Sequence, residues 1–169
     1  MRIPPALALG ALLLASCSLQ QDVSGAAPSG RVGSPAPRLS GPTVDGKSIA
    51  VDFRNARTVL VFWAAWCGPC RNEQPGLDRI AQDFKAQGVR LYGVDMLDHD
   101  RTLASAFQDE FKVPYPSVYD SAGSVTASFQ VDYPPSILLI DQRGIIVARY
   151  PGEASETQLR TLIQQKLLS

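Results

Sequence analysis

One stretch constrains this chain more than any other. Thr58-Val59-Leu60-Val61-Phe62-Trp63 is an unbroken run of β-branched, aliphatic and aromatic residues, and Trp66-Cys67-Gly68-Pro69-Cys70 follows almost at once. A short continuous apolar run that stops near Gly-Pro fits a strand buried on both faces, the pattern of a central strand covered by helices. Downstream, Leu77, Ile80, Ala81 and Phe84 recur at i, i+3, i+4 and i+7, which predicts a helix from about Cys67 to Gln87. Pro75 falls inside that helix and should kink it, and Gly88 should end it. The cysteine pair therefore stands where a strand hands over to a helix.

That placement has chemical consequences. A helix N-terminus offers free N–H groups and the positive end of the macrodipole, and both favour an anion. Cys67 is expected to be stabilised there as a thiolate and to act as the nucleophile. Cys70, one turn into the helix and expected to be the more buried, would resolve a mixed disulfide. Gly68 is expected to let the backbone turn tightly. Pro69 suits a first-turn position, where no N–H is needed. Two blander readings compete. Half of a zinc site needs two further ligands, and apart from Cys17 the chain has no other cysteine and only one histidine, His99. A purely structural disulfide would close a tiny loop and constrain the unfolded chain little. No metal and no organic cofactor is expected; the reactive group is the Cys67–Cys70 pair itself.

The other segments supply the parts of an α/β sheet with helices on its faces. Asp45-Gly46 between two short runs in Thr43–Ile49 is a hairpin signal. Residues 89–95 alternate as a strand, and 101–112 form an amphipathic helix through Leu103, Ala104, Phe107 and Phe111. Residues 119–129 begin with an Asp-Ser-Ala-Gly turn and continue as a short helix. Residues 136–141 and 145–150 read as strands joined by Gln142-Arg143-Gly144. A last helix covers about 155–168, opened by a capping box of Ser155 with Gln158. Val113-Pro114-Tyr115-Pro116 reads as a rigid connection, and Asp98-His99-Asp100 as a polar loop rather than a metal site. Trp63 is expected in the core and Trp66 on a contact surface.

The N-terminal part reads differently. Ile3–Leu14, preceded by Arg2, is apolar but too short for a membrane-spanning helix, which needs about 20 residues. Its length and flanks fit the core of a signal peptide. It ends in Leu14-Ala15-Ser16-Cys17, which resembles the lipobox of bacterial lipoproteins, whose cysteine is acylated and becomes the mature N-terminus. Residues 1–16 are then a leader, 17–36 a lipidated Cys17 with a flexible tether, and 37–169 the folded domain. Acylation would remove Cys17 from the odd count of 3 cysteines and leave a pair. The lipid would hold the domain outside the cytoplasm, on a membrane, where disulfide chemistry is possible. Composition narrows the function further. With 45% hydrophobic residues the chain can build a core, and 16 Lys+Arg against 16 Asp+Glu leaves no basic excess for a phosphate backbone. No nucleic-acid partner is expected.

Phe62-Trp63-Ala64-Ala65-Trp66-Cys67-Gly68-Pro69-Cys70-Arg71-Asn72-Glu73-Gln74-Pro75 resembles the TlpA/ResA-like branch of the thioredoxin superfamily, with its W-C-x-x-C-x-x-E-x-P. Residues 131–144 are similar to that branch's V-x-G-x-P-T-x-F-L-I-D-x-x-G segment. The resemblance runs from about Pro37 to the C-terminus. It implies an α/β, thioredoxin-like fold with an N-terminal β-hairpin and a central insertion, here about Lys112–Phe129. It also implies roles. Pro135 would be a cis-proline facing the cysteines, with Trp66, Gly68, Pro69 and Pro134 also lining the substrate site. Glu73 would be the acidic residue that exchanges protons with the thiols. There are departures: Val61 stands where thioredoxins carry a buried aspartate, and Tyr133 replaces a glycine. Pro134 has no N–H, so one backbone hydrogen bond to substrate would be missing.

The function implied is an extracytoplasmic, membrane-tethered thiol–disulfide oxidoreductase. It would reduce disulfides of exported proteins, with apocytochrome c as one suggested substrate, using electrons from a membrane thiol donor. A disulfide-forming oxidase is the main alternative. A thiol peroxidase is a lesser one, because Ala64 occupies the place of the threonine in the peroxidatic T-x-x-C. A lipoprotein that binds partners, with the disulfide as a switch, is the non-enzymatic alternative.

Overall fold

The structure, a computed structural model, describes residues 28–169; the expected leader, the expected lipidation site Cys17 and the first part of the expected tether lie outside the described residues. The elements follow in the order β1 (Leu39–Pro42), β2 (Ser48–Val51), β3 (Arg57–Trp63), α1 (Gly68–Asp83), β4 (Val89–Met96), α2 (Arg101–Phe111), β5 (Ser117–Asp120), α3 (Ser124–Ser128), β6 (Ser136–Ile140), β7 (Ile146–Pro151) and α4 (Glu156–Leu167). β1 and β2 form the antiparallel hairpin foreseen around Asp45-Gly46. The other strands make one sheet in the order β5-β4-β3-β6-β7. β3 lies at its centre, parallel to β4 and antiparallel to β6.

The apolar run in β3 is buried from Thr58 to Trp63 because both sheet faces are covered. Strand alternation sends Val59, Val61 and Trp63 to one face, where they pack with side chains of α1, α2 and α4, including Leu77, Phe107 and Ile163. Leu60 and Phe62 go to the other face, with Phe53, Phe129 and Leu138. Trp63 stacks on Phe107 with ring centroids 4.5 Å apart, and its indole N–H donates to Ser117 Oγ at 3.2 Å. Gly93 makes that hydrogen bond possible. A Cβ on Gly93 would fall 2.1 Å from Ser117 Oγ and 2.9 Å from Trp63 Nε1. α1 ends at Asp83; a 3-10 turn at Lys85–Gln87 and Gly88 in the left-handed region at φ 75° then stop it. The capping box of α4 is formed as expected from Ser155 and Gln158.

Two expectations change. The segment after α2 contains a strand, β5, which extends the sheet beyond β4. It has only 4 residues, between Pro116 and a turn, so no period could be read from it. Residues 29–36, expected to belong to a flexible tether, are instead paired with the last hairpin. Gly33 N–H donates to Ile146 O at 2.8 Å, Ile146 N–H to Ser34 O at 3.0 Å, and Ala36 N–H to Gly144 O at 2.8 Å. The Arg149 guanidinium holds the Gly30 and Phe129 carbonyls. Residues 29–36 are thus an arm laid along the last hairpin. β6 runs against β3, with Thr58 beside Ile140, so the β6–β7 turn and its end of the arm lie at the sheet end opposite Trp63. Among the described residues, no helix is long and apolar enough to cross a membrane.

Candidate active site

α1 begins at the cysteines for local reasons. Cys67 is its N-cap, in extended conformation, and Pro69 lies in the first turn, where a missing N–H costs no helical bond. Cys67 Sγ accepts the Cys70 backbone N–H at 3.1 Å, while the two sulfurs form a disulfide. On reduction, the same N–H and the helix terminus favour a thiolate at Cys67.

Exposure does not separate the two cysteines as expected. Cys67 is 4% exposed and Cys70 3%. What is open is the rim. Gly68 and Pro69 are exposed, and Trp66 is 61% exposed. Gly68 has no left-handed φ, and a Cβ there would meet open space, so the turn does not require glycine. Its missing side chain instead leaves bare backbone beside a buried disulfide.

The loop before β6 closes the same end of the sheet. Ser136 pairs with Phe62, so Pro135 falls alongside Trp63. The Pro134–Pro135 peptide bond is cis. Pro135 is buried and Pro134 half-buried, whereas Tyr133 stands 56% exposed. Ser136 Oγ donates to Tyr133 O at 2.9 Å and ties the loop to its strand.

Glu73 lies one turn beyond Cys70. It is not on a solvated helix face: it is 6% exposed, and neither carboxylate oxygen has a hydrogen-bond partner. Burial pushes its pKa up to about 8; the Ala154 amide nearby, too poorly placed for a formed bond, offsets part of this, and the Glu153 charge adds to it. A group poised there can hold or release a proton near neutral pH. Val61 is buried and apolar, so the position two strand residues before Trp63 offers no acid. Arg71 pairs with Glu110 and lies over the Phe111 ring at 5.0 Å, which draws it towards α2.

The polar loop after β4 does more than the sequence disclosed. Asp98 is 2% exposed and accepts the Ala65 backbone N–H at 2.6 Å, within the turn that leads to Cys67. Asp100 caps α2 by accepting Thr102 N–H at 2.8 Å. Asp95, beside Trp63 in the β3–β4 register, is fully buried. Its one sequence signal was an acid at the apolar end of a strand. Among the described residues, no three His, Cys, Asp or Glu side chains are grouped to hold a metal ion.

Known proteins are similar to this chain. Residues 32–149 match the AhpC/TSA family. A "Thiol:disulfide interchange protein DsbE homolog" of Paracoccus denitrificans is 33% identical over 156 residues, covering 90% of this chain and 84% of that protein. The "Thiol-disulfide oxidoreductase ResA" of Bacillus thuringiensis is 27% identical over 135 residues, covering 79% and 78%. The crystal structure of a DsbE-type thiol:disulfide interchange protein from Chlorobium tepidum superposes with a TM-score of 0.72 at 26% identity, covering 80% of this chain and 94% of that one. The thioredoxin-like fold, the Cys-Gly-Pro-Cys pair at the head of α1 and these relatives lead to one conclusion: the chain belongs to the AhpC/TSA family, as a thiol–disulfide oxidoreductase of the ResA/DsbE type.

Proposed function

We propose that the protein reduces disulfides of exported proteins while tethered to a membrane through a lipid on Cys17. The observation that carries the chemistry is the Cys67–Cys70 pair at the N-terminus of α1, one turn from a buried, unpartnered Glu73. In the reduced protein, the Cys67 thiolate attacks one sulfur of a substrate disulfide. A mixed disulfide forms and the first substrate sulfur leaves as a thiolate. Cys70 loses its proton to Glu73 and attacks Cys67 Sγ. The second substrate thiolate leaves, and the Cys67–Cys70 disulfide closes. Two electrons have passed to the substrate, and a membrane thiol donor restores the pair.

Trp66, Gly68 and Pro69 form the rim against which a substrate segment lies, with Pro134 and Pro135 facing it. Cysteines of apocytochrome c are a substrate class suited to this site. Because Pro134 withholds a backbone donor, Pro134→Thr should tighten binding of a substrate peptide. Unchanged affinity in a titration would remove Pro134 from the binding surface. The deciding experiment equilibrates the protein against glutathione and reads its reduction potential. A value near about −270 mV supports a reductant. A value near about −120 mV would make it a disulfide donor and reverse the proposed direction.

A further inference from the structure

At the Trp63 end of the sheet lies a second acidic group that the exchange steps do not use. Asp95 is fully buried, and neither of its oxygens receives a hydrogen bond from any donor. After burial itself, Asp98, three residues on, acts on it most, through side-chain hydrogen bonding and charge. Two carboxylates cannot hydrogen-bond to each other; one proton between them turns repulsion into a bond. Asp98 is itself buried, and its Oδ2 accepts the Ala65 N–H at 2.6 Å. Ala65 is two residues before Cys67, in the turn that carries the chain from β3 to α1. A chain of contacts thus runs from Asp95 through Asp98 to the backbone that presents the nucleophile.

We propose that Asp95 and Asp98 form a carboxylic acid–carboxylate pair that fixes, through the Ala65 amide, the turn presenting Cys67. Asp95 is then a positioning residue for the exchange, not a catalytic one. The pair occupies a place no thioredoxin-like aspartate holds here, since Val61 fills the equivalent site on β3. It stands on the adjacent strand, two registers nearer the cysteines: Val61 pairs with Gly93, and Trp63 with Asp95.

The surroundings favour keeping that proton. β3 brings Trp63 beside Asp95 and no ionisable group before Cys67. β5 brings Tyr119, its register partner, and Asp120, whose charge also opposes ionisation. α2 brings Arg101, which lies over the Tyr119 ring at 4.6 Å. Burial, then the Asp98 contact and charge, push Asp95 up to about 9.

The test joins a structural readout to a kinetic one. In the oxidised protein the cysteines do not titrate, and in a Glu73→Gln background Glu73, which would titrate in the same range, is silent too, so the Ala65 amide proton, followed there by NMR from pH 6 to 10, reports the pair. It should shift with a midpoint above neutrality, and it should stay still in Asp95→Asn. For exchange at pH 7, Asp95→Ala should be slowed about tenfold by misplacement of the turn, and Asp95→Asn, which keeps a donor towards Asp98, should recover most of that loss. Asp98→Ala should match Asp95→Ala, with near-ultraviolet circular dichroism showing that both fold. An amide that does not move while Asp95 is in place, or equal rates for Asp95→Ala and wild type, would overturn the proposal. It rests on the exchange reaction proposed above, but the two fail separately. A wild type without turnover sinks that reaction, whereas normal turnover with a silent amide sinks the pair alone.

Discussion

The two faces of the central sheet both bury acids, and they treat them differently. On the face packed by Phe62, Phe129 and Leu138, Asp120 closes β5 and accepts three hydrogen bonds: from Ser124 Oγ at 3.2 Å, Val125 N–H at 3.1 Å and Thr126 N–H at 2.7 Å. Those three bonds start α3. On the face that carries the cysteines, Glu73 and Asp95 are just as buried and have no donor. The residue types and the burial are alike, so the donors decide the outcome. An acid with donors builds structure. An acid without them keeps a proton instead, and can give it up only where chemistry or a neighbour makes use of it. One face is therefore held together by its carboxylate, and the other is tuned by two.

This contrast can be broken or sharpened by experiment. The largest effect is expected at Cys67. Cys67→Ser should abolish disulfide exchange in a turnover assay with an insulin-type substrate and leave the unfolding curve nearly in place. Residual turnover would move the nucleophile elsewhere. On the opposite face, Phe129→Ala should cost about 3–5 kcal/mol in denaturant unfolding, with turnover per folded molecule unchanged. A fall in that specific rate would show the two faces to be coupled. Asp120→Ala should cost about 1–3 kcal/mol, because the Val125 and Thr126 amides lose their acceptor. The pH profile of exchange should move only slightly, since the Asp120 charge is the smallest of the influences on Asp95.

The smallest effect per step is a pH slope. The folded pKa of Glu73, about 8, lies above its ordinary value of 4.5. Its contribution to stability is therefore complete below about pH 4.5 and is lost as pH rises to 8, at up to about 1.4 kcal/mol per pH unit. Glu73→Gln should flatten that decline between pH 5 and 8 in thermal unfolding. Parallel curves for the two proteins would show that Glu73 is ionised in the fold.

Local signals carried most of the fold. The β3 run, the cysteine motif, the 3.6-residue period of α1 and the Ser155 capping box are each written within a few adjacent residues, and each was found. β5 was missed because four residues between Pro116 and a turn hold no period. The arm reads as tether in the sequence because its pairing partners, Gly144 and Ile146, lie more than a hundred residues away. The site divides the same way. Cys67, Cys70 and Pro69 were legible from their helix-start context. The burial of Glu73 depends on α1 packing against the segment around Ala154, and Asp95 meets the active-site turn only through the register of two parallel strands. Asp98 looked like one more polar loop residue because its acceptor role needs the Ala65 amide in place.

The arm has a mechanical consequence. It grips the hairpin at Gly144–Ile146 and through Arg149, and that turn lies at the sheet end opposite Trp63 and the disulfide. A pull on the arm from upstream meets Arg149 at Gly30 first, is shared along β7 through Gly33–Ile146 and Ala36–Gly144, and must cross that edge strand and β6 before it can reach β3. The arm therefore loads the edge of the sheet and not its centre, where β3 leads to the disulfide.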